Sequence, residues 1–106
     1  MKLSELELPR KYVLEFAEDM ERELDNNDHK SGWGQMSYGE LCARAGQELA
    51  ELRRAVKRLD TEYHIDALVN LISEAADVGN FAMMIADNAR AEIAELSRTG
   101  KREAQP

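Results

Sequence analysis

What the chain lacks narrows it first. Cys42 is its only cysteine, so it carries no intrachain disulfide framework and no thiolate cage for a metal. Aromatic residues are 6% of the sequence, and glycine and proline are few, which argues against a turn-rich sheet fold and against disorder. His29 and His64 stand in no Glu-x-x-His pair, the pattern that a ferritin-like di-iron site requires. The opening residues, "MKLSELELPRKY", lack the apolar core of a signal peptide. No long hydrophobic run is free of polar groups either. The most apolar stretch, residues 68–89, contains Asn70, Glu74, Asp77, Asn80 and Asp87, too many for a membrane span. Positive charge is also short, with 14 basic residues against 21 acids and a net charge of −7. Such a surface repels nucleic acid and anionic membranes. The expectation is a cytoplasmic protein with no nucleic-acid and no membrane partner. A phosphorylated small molecule stays open, provided that metal cations screen the contact.

What is present points to helices. Ala, Leu, Glu and Arg dominate and charged residues make up 33%, a composition of all-α domains and coiled coils. With 106 residues the chain is expected to be one domain, residues 1–106, with loose ends at 1–8 and 99–106. The first helix is expected from about Pro9 to Leu24, with Tyr12, Val13, Phe16, Ala17, Met20 and Leu24 at helical spacing. "DNNDHKSGWGQM" then breaks the pattern with turn formers. Ser37-Tyr38-Gly39-Glu40 has the form of a capping box, so a second helix should start near Tyr38. Its apolar stripe is Leu41, Ala45, Leu49, Leu52, Val56 and Leu59. After "DTEYH", where Asp60 or Thr61 is the expected cap, a third segment should run from about Glu62 into the nineties. Its stripe is Ile65, Leu68, Ile72, Ala75, Gly79, Ala82, Ala86, Ala89, Ile93 and Leu96. A second row (Val78, Phe81, Met84, Ile85) widens that face. A kink near Gly79 and a division near Asn88 both remain open. A helix apolar on so many sides needs several neighbours, and one chain offers two. The expected architecture is therefore an all-α bundle of three to four helices per chain, completed by homo-oligomerisation. Cys42, Met83 and Met84 are expected in the core.

Two pairs of acids interrupt this apolar pattern. "QELAEL" holds Glu48 and Glu51, and "SEAADVGN" holds Glu74 and Asp77, each pair three residues apart. Residues i and i+3 share one helix face, with Cβ atoms about 5–6 Å apart. If the two helices pack antiparallel through their stripes, four carboxylates converge. Left alone they would repel, and their pKa values would rise until some protonated. A divalent cation removes the difficulty, and an all-oxygen donor set suits Mg²⁺ or Mn²⁺ rather than zinc or copper.

The spacing Glu-x-x-Glu, 22 residues, Glu-x-x-Asp resembles the signature of the MazG-like all-α NTP pyrophosphatases. "QELAELRRAV" is similar to the family's "EExxEL" helix. "SEAADVGNFAMMIADN" and the loop "NDHKSGWG" resemble the corresponding segments of its phage-type members. The likeness covers about residues 26–88, with one departure: Gln47 stands before the first motif Glu, where the family often has an acid. The resemblance implies that Glu48, Glu51, Glu74 and Asp77 bind Mg²⁺, and that the chain hydrolyses a nucleoside triphosphate to the monophosphate and pyrophosphate. Glu48 or Glu51, where not fully occupied by metal, would orient the attacking water or accept its proton. Further candidates are Lys30 for a phosphate oxygen, Trp33 for stacking on the base, and Asn80 for a metal or sugar contact. Each has a bland alternative: a solvated lysine, a ring that plugs the loop onto the bundle, and a buried amide bonded to backbone. The basic run Arg53, Arg54, Lys57 and Arg58 reads chiefly as a solvated face. Set against the enzyme is a non-catalytic helical interaction or nucleotide-binding module.

Overall fold

The computed structural model describes residues 10–27 and 32–100. Among these, all regular structure is helical: α1 (Lys11–Asn26), a 3₁₀ turn (Trp33–Gln35), α2 (Tyr38–Arg58) and α3 (Ile65–Thr99). The all-α class follows, with three α-helices. Pro9, the N-terminal end at 1–8, Lys30 and residues 101–106 lie outside the described residues.

α2 starts where the sequence predicts, and for the predicted reason. The Glu40 backbone N–H donates to Ser37 Oγ at 3.0 Å, and the Ser37 N–H donates to Glu40 Oε1 at 2.9 Å. Two otherwise unpaired donors are thereby satisfied reciprocally. The start of α3 differs from expectation. It lies at Ile65, capped by His64 without a side-chain hydrogen bond, rather than at Asp60 or Thr61. The Thr61 hydroxyl donates instead to the Arg58 carbonyl, serving the end of α2. From Ile65 the helix runs undivided past Asn88 to Thr99, and Gly100 closes it with φ of 76°, a left-handed conformation that glycine adopts without strain.

α2 and α3 are antiparallel neighbours: Tyr38 bonds Glu92, Arg44 covers the Phe81 ring, and Glu48 approaches Asp77 and Glu74. α1 crosses α3 in the stretch 73–80. Its Phe16 ring lies so close to Gly79 that a Cβ there would fall 2.9 Å from Phe16 Cε2. Among the described residues the close backbone approaches are those of α1 and of α2 to α3, and a trough lined by all three helices opens between them.

The core is small. Leu24, Leu41, Phe81 and Met84 form its centre, with Trp33, Met36, Ala45, Met83 and Ile85 packed against it. The face of α3 buried within the chain runs through Ala67, Ala76, Asn80, Phe81 and Met84. The predicted stripe lies largely off this face, with Ile65, Ile72 and Ile93 exposed. On α2, Leu41 is buried while Leu49 and Val56 are exposed; on α1, Leu24 is buried while Tyr12, Val13 and Phe16 are exposed. Cys42 is exposed rather than buried, because it sits one residue beyond Leu41 and so turns away from α3. By length and composition α3 is also a possible bilayer span. Its middle, however, carries Glu74 and Asp77, each costing about 2.5–3.5 kcal/mol at a membrane centre.

Candidate metal centre

The trough holds a cavity of about 420 Å³, and acids line it from all three helices. α2 supplies Glu48 and α3 supplies Glu74 and Asp77, all half-buried, with one carboxylate oxygen of each within 4.8 Å of the other two. Antiparallel packing accounts for this convergence, since it sets the middle of α2 against the N-terminal half of α3. Glu51 lines the same cavity one turn further along α2, exposed and outside that triad.

α1 adds two residues that the sequence reading does not single out. Glu23 is only 8% exposed. Its Oε2 accepts from Ser73 Oγ at 2.9 Å and its Oε1 accepts from Asn27 Nδ2 at 3.2 Å. The same Asn27 amide reaches Asp77 Oδ1 at 3.3 Å and the Glu23 carbonyl at 3.1 Å. The available signal was positional: Met20, Glu23, Leu24 and Asn27 fall at i, i+3, i+4 and i+7, the face that α1 turns inward.

Crowding of like charges shows in the proton affinities. Burial pushes the Asp77 carboxyl up from its ordinary 3.8, and the fields of Glu23, Glu48, Glu74 and Glu51 add to it, bringing the pKa to about 7. Glu74 is raised as well, first by burial and then by Glu51, Glu48 and Glu23, while Arg54 pulls the other way. These are the shifts of carboxylates buried and crowded together.

The donor set suits a hard dication, being oxygen throughout. Around Mg²⁺ at 2.0–2.1 Å two opposed oxygens stand about 4.2 Å apart. Adjacent ligands stand about 3 Å apart, so the triad, whose oxygens lie within 4.8 Å of one another, would close further to share one ion.

The other predicted residues lie elsewhere. Trp33 is anchored on α3: its Nε1 donates to Asp87 Oδ2 at 2.9 Å, and its carbonyl accepts from Asn88 Nδ2 at 2.9 Å. It does not line the acid cavity. Asn80 is 3% exposed and donates to the Met20 carbonyl at 3.0 Å, with its Oδ1 unpaired. It ties α1 to α3. From the basic run, Arg58 pairs with Glu62, and the field of Arg54 reaches Glu74. Comparison with protein-family models, with curated proteins and with solved structures finds no match to this chain.

Proposed function

We propose that this chain is a Mg²⁺-dependent nucleotide pyrophosphohydrolase that cleaves an NTP or dNTP to the nucleoside monophosphate and pyrophosphate. The observation that carries the reading is the triad Glu48, Glu74 and Asp77, drawn from two antiparallel helices into one open cavity. The motif resemblance supplies the substrate class.

In this reading Glu48, Glu74 and Asp77 hold the cation. Mg²⁺, with Mn²⁺ as a substitute, would supply charge screening for the triphosphate, polarisation of the α-phosphoryl group and a bound water of lowered pKa. Glu51, exposed at the cavity edge, would orient the attacking water and accept its proton. Lys30 and Trp33 are the proposed phosphate and base contacts. Asn80, committed to the Met20 carbonyl, serves the site by holding α1 against it. The protein works in the cytoplasm as a homodimer or homotetramer, without nucleic-acid or membrane partners.

Pyrophosphate release across a panel of NTPs and dNTPs tests the reaction. Glu51→Ala and Asp77→Ala should abolish turnover while the helical circular dichroism persists, because each removes repulsion along with a functional carboxylate. Retained turnover in both variants would overturn the assignment. Mg²⁺ at 100 times its dissociation constant should stabilise the fold by about 2.7 kcal/mol. An unchanged melting curve, with no pyrophosphate released, would instead favour an interaction module, a reading that the exposed apolar side chains of α2 and α3 support.

A further inference from the structure

Glu23 is a carboxylate buried beside four others, a costly position unless both oxygens are satisfied. Both are. Ser73, the residue before Glu74, donates to one oxygen, and Asn27 donates to the other while also reaching Asp77. A single chain of hydrogen bonds thus runs Ser73–Glu23–Asn27–Asp77, tying the end of α1 to the triad acid Asp77 and to the neighbour of Glu74. Glu23 lines the same cavity without belonging to the triad, whose members are Glu48, Glu74 and Asp77.

We infer that Glu23 is a positioning residue for the cation site: it holds the Asn27 amide on Asp77 Oδ1 and so fixes the carboxylate that α3 brings to Glu48 and Glu74. The inference rests on the metal-centre reading above and adds α1 to it. Groups that orient a ligand from behind are worth about 10–100-fold in metal affinity. An amide at position 23 keeps the chain intact without the charge. Its oxygen still accepts from Asn27, and its nitrogen donates to the Ser73 hydroxyl, which turns to accept.

Titration calorimetry with Mg²⁺ on the full chain tests this. Glu23→Ala should weaken Mg²⁺ binding about 10–100-fold, and Glu23→Gln should restore it to near the wild-type value. Asn27→Ala, at an exposed position, breaks the same link while keeping the Glu23–Ser73 bond and should match Glu23→Ala even if that variant folds poorly. Phe16→Ala loosens α1 where it meets Gly79 and should lower the melting temperature with unchanged Mg²⁺ affinity. Wild-type affinity in both Glu23→Ala and Asn27→Ala would overturn the inference. So would a loss in Glu23→Gln as large as in Glu23→Ala, since the charge itself would then be what acts. A wild-type chain that takes up no Mg²⁺ would overturn the underlying reading, and this result is distinct because it appears before any substitution.

Discussion

Asp77 lies half-buried among Glu23, Glu48, Glu51 and Glu74, and this surrounding sets how the protein responds to pH. Its pKa is about 7 in the folded chain against an ordinary 3.8, so between those values the folded state holds a proton that the unfolded state has lost. Stability from this group is therefore fully present below the ordinary value and is lost as pH rises toward 7. Glu74 acts in the same direction. Metal-free protein should melt at a higher temperature at about pH 5 than at about pH 8, and Asp77→Asn should flatten that difference. Mg²⁺ should do the same by replacing the proton as counter-charge, releasing protons on binding near neutral pH. An unchanged pH slope in Asp77→Asn would show that the destabilising repulsion lies elsewhere.

Among the elements, α2 is the most fully specified by local sequence. Both halves of its cap are present, so Ser37→Ala should cost about 1 kcal/mol in thermal or urea unfolding. α3 is specified less locally. Its start depends on which helix the Thr61 hydroxyl serves, and two chemically equivalent choices cannot be separated by residue type. Its buried face differs from the predicted stripe for a similar reason: with apolar residues on most sides, periodicity alone does not tell which side the chain's own helices cover. α1 docks through its second half. Leu24 and Glu23 are buried while Tyr12, Val13 and Leu14 are exposed, so the apolar count of its first turns overstates its contribution.

For the whole molecule, the notable quantity is apolar surface left uncovered. Leu49 and Val56 are seven residues apart on α2, and Ile65, Val69 and Ile72 recur at four and three on α3, all exposed. Each such side chain, once buried, contributes about 1.5–3 kcal/mol, more in sum than the small internal core can forgo. A second copy of the chain is the proposed cover. Sedimentation should give two or four times the chain mass, with a melting temperature that rises with protein concentration. Val56→Glu and Ile72→Glu should shift the assembly toward monomer and lower its stability. A wild-type chain that sediments as a stable monomer would remove homo-oligomerisation from the proposal.

The helical class, the start of α2 and the two acid pairs were determined by sequence alone, because propensity, capping and i, i+3 geometry act over a few residues. Tertiary structure decided which acids meet. Antiparallel packing of α2 on α3 gathers Glu48, Glu74 and Asp77 and leaves Glu51 at the rim. The crossing of α1 brings in Glu23 and Asn27 from about fifty residues away in the chain. Contacts of that separation depend on which faces the helices bury together, and on this chain's apolar α3 no local pattern records the choice.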